Sequence, residues 1–197
     1  MCMGIAAPAA YAISRFKPKY RATSMNLILF LHLFSDVVLL APLFRLTVFF
    51  GLMNTYYSLI IVNAAWALGV VIWILTPAFM SVPRDLEDSA SVDGCSRFQT
   101  FTRIMLPLCI PSLIAGTILV LVWTWSEFVF ALTFITDDTL RPVTSGLYLF
   151  RGAYQDAPIY WNYLMAASVV AITPIVVLFA FLQKWFKGEI VLGALKE

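Results

Sequence analysis

The chain has 197 residues, 61% of them hydrophobic and 12% charged, about half the charged fraction of an ordinary soluble domain. That balance excludes a soluble globule and places the chain in a bilayer, and a net charge of +2 gives no case for a nucleic-acid partner. A single histidine, His32, and three cysteines without metal-type spacing leave no material for a His-based metal cluster, a Ser/His/Asp triad or a disulfide framework. No metal or cofactor is expected, and Cys2, Cys95 and Cys109 read as reduced thiols.

In chain order, residues 1–14 are apolar and rich in small side chains, but as a helix they rise only about 21 Å, too little to span. Their positive charges follow the apolar stretch, which is the wrong order for a signal peptide. The segment is expected to be the tail of a crossing whose start lies upstream. A span near 24–49 follows, its apolar segment 22–44 interrupted only by Asp36. The uncharged run 46–83 is too long for one crossing, and the polar turn Gly51-Leu52-Met53-Asn54-Thr55 divides it, giving a second span near 56–80. Further spans fall near 108–134 and 160–182, each at or above the roughly 20 residues a membrane helix needs. The expected fold is all-α: one transmembrane domain over 1–197, a polytopic helix bundle with four full crossings and a partial N-terminal one. Ten of the thirteen Lys and Arg lie before the first full crossing (Arg15, Lys17, Lys19, Arg21), in the middle loop (Arg84, Arg97, Arg103) or after the last crossing (Lys184, Lys187, Lys196). Arg45, Arg141 and Arg151 fall on the other side, so the loop 81–107 and the C-terminus are expected in the cytoplasm.

The loop 81–107 encodes two short helices with a bend. Pro83 suits a first helical turn, with Asp85, Glu87 and Asp88 near its positive end. Gly94 supplies a stop in the left-handed region. Ser96 then acts as N-cap, and Gln99 completes a capping box for a second helix from about Arg97 towards Pro107. Leu86 and the small residues Ser89, Ala90 and Ser91 offer a surface that another protein can approach closely. An ordinary charged connector is the alternative.

The spacing Asp88-Ser89-Ala90, Gly94, Ile104, Leu106-Pro107 resembles the signature of ABC-importer permeases, a Glu-Ala-Ala, three residues, Gly, nine residues, Ile, one residue, Leu-Pro. Asp stands for Glu and Ser for Ala. The resemblance covers nearly the whole chain and is closest to the second permease of maltose-type carbohydrate importers. Asp93-Gly94-Cys95-Ser96-Arg97-Phe98 is similar to that subfamily's Asp-Gly-Ala-Ser-x-aromatic. Trp125-Ser126-Glu127-Phe128 is similar to its Trp-Asn-Glu/Asp-Phe, and Leu182-Gln183-Lys184-Trp185-Phe186 with Gly193-Ala194-Leu195-Lys196 is similar to its tail. Members usually have six crossings, so this chain is expected to lack the first and part of the second.

The resemblance implies a type I ABC-importer permease fold in the bacterial inner membrane, moving a mono- or oligosaccharide by alternating access. Its implied coupling loop comprises Glu87, Asp88, Ser89, Ala90, Asp93, Gly94, Ile104, Leu106 and Pro107. Its implied partners are a second permease subunit, ATP-binding subunits and an extracytoplasmic solute-binding protein. The chain has no Gly-Lys pair and hence no phosphate-binding loop of the usual kind, so it is not expected to be an enzyme; hydrolysis belongs to a partner. Ionisable groups inside crossings make Glu127, Asp36 and His32 pathway candidates, to which Trp125 is added, with an interfacial place as the alternative for Glu127. Ser35 stands where the family often has Pro, which predicts a straighter helix. Trp66, Trp73, Trp123, Trp125, Tyr148, Tyr154, Tyr160 and Trp161 are candidate sugar-stacking residues or interfacial anchors. The stretch 136–160 is a candidate contact for the binding protein or a plain solvated loop. Rival readings are a permease for an amino acid, phosphate or polyamine, and a truncated, non-transporting remnant or scaffold.

Overall fold

The computed structural model describes residues 1–15, 18–148 and 161–182, and these are helical without a strand. They form two compact units, residues 1–33 with 64–120 and residues 34–63 with 121–182.

The first unit is built on α1 (Cys2–Ser14), the C-terminal two thirds of α4 (Tyr56–Ser81) and the segment that follows it. Ala6 and Ala10, one helical turn apart, are fully buried on α1 beside Val71, Leu75 and Phe79 of α4, themselves four apart and fully buried. Between membrane helices, lipid is as apolar as leucine, so close approach of small residues replaces the exclusion of water as the organising force. Gly116 continues this logic, since a Cβ there would touch Met3 and Val71 at 3.6–3.7 Å. Helix α2 (Pro18–His32) leans on the unit through His32, whose ring nitrogens lie 3.0 Å from the carbonyl oxygens of Ile28 and Trp66. The ring sits so close on Gly69 that a Cβ there would fall on it.

In the predicted span 24–49 the helix is not continuous. It stops at His32 and restarts as α3 (Asp36–Phe49). The straighter helix expected from Ser35 does not form. Ser35 takes extended angles, φ −67° and ψ 143°, as N-cap, and its carbonyl accepts from the N–H groups of Val38 and Leu39. An N-cap needs only this backbone geometry, so proline is dispensable for the break.

Beyond α4 come α5 (Asp85–Val92) and α6 (Arg97–Thr100), then a π-helical turn (Phe101–Met105) and α7 (Leu106–Leu108). Helix α8 (Ile110–Ser126) leaves at 77° to residues 97–108. Pro111 accounts for this break, since it has no N–H to donate to the preceding turn.

The second unit has its own core of Leu59, Val62, Phe130, Ala131, Phe134 and Ile135. The predicted crossing 108–134 is interrupted, because α8 ends at Ser126 and α9 (Val129–Phe134) starts afresh. A 3-10 turn (Asp138–Leu140), α10 (Val143–Gly146) and α11 (Trp161–Leu182) complete the described chain. By length and composition α4 and Trp161–Phe181 can each cross a membrane, and up to four spans result if each bent pair, Lys19–His32 with Asp36–Phe49 and Arg97–Leu108 with Ile110–Ser126, counts as one.

Candidate functional site

Local chemistry shapes the segment 81–107 as its residues foretell. Helix α5 begins with Asp85, Glu87 and Asp88 in its first turn, where the helix dipole favours carboxylates. It ends in a double hydrogen-bonded turn: Cys95 N–H donates to the Ala90 carbonyl at 2.9 Å and Gly94 N–H to that of Ser91 at 3.2 Å. This pattern needs a left-handed residue at Gly94, whose φ is +79°. Ser96 then starts α6 with both halves of a capping box. Gln99 N–H donates to the Ser96 hydroxyl at 3.3 Å, and Ser96 N–H donates to Gln99 Oε1 at 2.8 Å.

These caps fix which side chains face outward. Asp88, Ser89, Asp93, Gly94 and Pro107 are exposed, Ile104 and Leu106 are half-buried, and Ala90 is buried. Large apolar groups also face out, with Val92 88%, Phe98 74% and Leu86 43% exposed. Glu87 differs from its neighbours. It turns inward, forming an ion pair with Arg15 and accepting a hydrogen bond from the Tyr11 hydroxyl at 3.1 Å. The cavity beside it, of about 560 Å³, is lined by Tyr11, Arg15, Arg84, Glu87, Asp88 and Arg97. Neither Tyr11 nor Arg15 is singled out by the sequence; Arg15 reads there only as one of the loop cations. A contact between residues 76 positions apart leaves no local signature.

The pathway candidates fall in two places. Glu127, Trp125 and Asp36 belong to the second unit and His32 to the first. Both carboxylate oxygens of Glu127 are engaged by backbone, taking the N–H of Phe130 at 2.6 Å and of Ala131 at 3.0 Å, while its carbonyl accepts from the Thr144 hydroxyl at 2.7 Å. It thus caps the start of α9. Trp125 donates its indole N–H to the Ala171 carbonyl at 3.0 Å and lines a largely apolar groove of about 540 Å³ with Val122, Thr144, Ser168 and Ile172. Asp36 is half-buried in the first turn of α3.

The second unit also holds a contact that the sequence does not announce. Asn54, in the left-handed region at φ +56°, uses its amide oxygen to accept from Thr136 N–H, the Thr136 hydroxyl and Asp137 N–H. Beside it, Asp137 accepts from the hydroxyl and the N–H of Thr139, which hold its carboxyl below the usual range. Among the described residues no cluster of His, Cys, Asp or Glu could hold a metal ion. Tyr154, Tyr160, the end of the stretch 136–160, Lys17, Arg151 and the tail from Gln183 onward lie outside the described residues.

Residues 3–190 match the family described as binding-protein-dependent transport system inner membrane component. The chain is 38% identical over 194 residues to the trehalose/maltose transport system permease protein of Thermococcus litoralis, covering 98% of this chain and 69% of that protein. It is 36% identical over 188 residues to the sulfoquinovosyl glycerol transport system permease protein of Agrobacterium fabrum, covering 95% and 65%. With the arabinooligosaccharides transport system permease protein of Halalkalibacterium halodurans it shares 31% identity over 186 residues, covering 94% and 65%. The chain therefore spans about two thirds of the length of the relatives it matches. Its fold matches that in the crystal structure of a bacterial ABC transporter involved in the import of the acidic polysaccharide alginate, with a TM-score of 0.72 at 21% identity over 91% of this chain and 67% of the other.

Proposed function

The chain belongs to the binding-protein-dependent transport system inner membrane components, and from that premise we propose that it is a translocating permease subunit of an ATP-driven importer for a sugar. One observation carries the mechanism: within a family member, the segment with the importer spacing folds as an exposed helix closed by a glycine turn and a capping box. Such a knob keeps its shape while another protein presses on it. Val92, Phe98 and Leu86 present the apolar contact, with Asp88 and Asp85 as charged flanks for a basic partner surface.

Coupling then runs from α5 through the capped α6 and the π turn into α8. The partners are a second permease, ATP-binding subunits and an extracytoplasmic binding protein. A carbohydrate cargo is supported by the names of the three relatives above. A multi-pass chain is supported by α4 and α11 together with the bent pairs Lys19–His32 with Asp36–Phe49 and Arg97–Leu108 with Ile110–Ser126. The Arg15–Glu87 ion pair supports a cytoplasmic side that includes both the stretch after α1 and the segment 81–107.

The test is co-purification with the partner permease and ATPase, followed by ATP hydrolysis in membrane discs. Assembly and stimulation by a sugar-loaded binding protein, both weakened by Gly94→Asp, support the reading. An unsubstituted chain that recruits no ATPase overturns it.

A further inference from the structure

We infer that Tyr11, Arg15 and Glu87 form a latch that joins α1 to α5 as one mechanical body, with Glu87 a positioning residue that faces this chain rather than the ATPase. The inference rests on α5 being the coupling helix. Of the three acids in its first turn, Asp85 and Asp88 are exposed, whereas the side chains of Glu87 and Arg15 retain only 19% and 18% of their accessible surface. Arg15 is the C-cap of α1, where a cation also meets the negative end of the helix dipole.

The latch is wider than one ion pair. The Tyr11 hydroxyl donates to the second carboxylate oxygen, and the guanidinium lies 5.7 Å from the Tyr11 ring centre. That ring packs edge-on against Phe79 at the end of α4 and at 5.1 Å from Phe101, the first residue of the π turn. Arg15 also reaches the Met105 sulfur, the last residue of the same turn, at 3.8 Å. Three polar side chains therefore connect α1, α4, α5 and the π turn. A half-buried charged pair is costly to open, because each partner loses its counter-charge before water can replace it fully. Force applied to α5 is thus delivered to α1 as well as along the chain.

The test uses spin labels at Ala12→Cys and Ser91→Cys, with Cys2, Cys95 and Cys109 changed to serine, in membrane discs. Distances are measured on the chain alone and after addition of the partner permease and ATPase, with and without ATP. We expect one narrow distribution that stays in place with ATP, broadening in Glu87→Gln and narrowing again in the charge-swapped pair Arg15→Glu with Glu87→Arg. Solute moved per ATP should fall on the order of tenfold in Glu87→Gln, the scale of one charged hydrogen bond lost, and recover in the swap. A distribution in Glu87→Gln as narrow as in the unsubstituted chain, or labels that separate with ATP, overturns the latch. The importer reading is judged separately, by whether loaded binding protein stimulates hydrolysis, so the latch can fail while transport stands and the reverse.

Discussion

The amide oxygen of Asn54 accepts from both the backbone N–H and the hydroxyl of Thr136, at 2.6 and 2.9 Å, across 82 residues of sequence. With Asp137 N–H it makes three hydrogen bonds from one side chain, tying the turn before α4 to the loop after α9. Because Asn54 has positive φ, glycine can keep the backbone while deleting the clasp. Asn54→Gly should destabilise the protein by about 1–3 kcal/mol, near the net worth of two or three hydrogen bonds. Asn54→Val should cost more, since it adds left-handed strain. Thermal unfolding in detergent, with hydrogen exchange at Thr136 and Asp137, reads both.

Gly69 and His32 should be coupled in a double-mutant cycle. Gly69→Ala puts a methyl onto the imidazole, at a cost of about 1–3 kcal/mol as an overpacked contact. His32→Ala removes the obstacle together with the ring contacts to Ile28 and Trp66. The double variant should be more stable than the sum of the singles predicts, by at least about 0.5 kcal/mol. Simple additivity in thermal shifts would show that the ring and the glycine do not touch.

At Gly94 the limitation is backbone angle rather than room, because among the described residues nothing lies within 4 Å of an added Cβ. Gly94→Asn, a residue that tolerates the left-handed region, should therefore lose less helix stability than Gly94→Ala, which should cost about 1 kcal/mol, and Gly94→Val should lose the most. Hydrogen exchange at Gly94 and Cys95, whose N–H groups close the turn, should follow that order.

Glu127 holds the first turn of α9, and its removal should be felt there before it is felt in transport. Glu127→Ala strips the acceptors of Phe130 and Ala131 N–H and should cost about 1–2 kcal/mol, in the range of lost helix caps. Glu127→Gln keeps one acceptor and should cost roughly half as much. Faster exchange at these two amides is the expected signature. Unchanged protection in the alanine variant would remove the capping role.

What was legible in the sequence was chemistry acting over a few residues. Gly94, Ser96 and Gln99 foretell a stop, a cap and a box, because each device is complete within four to six positions. The apolar runs located α4 and α11 but not the interruptions at Ser35 and Phe128, since the hydrophobicity of a window is blind to a single residue in extended or irregular geometry. Glu87 was read with its outward-facing neighbours. Its partners lie in α1, and helical phase alone does not say which of three adjacent acids another helix will meet. Glu127 reads as an ionisable group of a pathway or of the interface, and the sequence does not show that the break in its helix supplies two backbone amides to its carboxylate.

The π turn at Phe101–Met105 bears on how the chain length here tolerates change. A π turn holds one residue more than an α turn, and each α-helical residue rotates the chain by about 100°. The turn Phe101–Met105 thus holds one residue that is surplus to α-helical register. Deleting Thr102 or Arg103 could be absorbed by reversion to α bonding, leaving Phe101 and Met105 three apart and still on one face. An insertion has no such reserve, so length variation in this segment should run in one direction only.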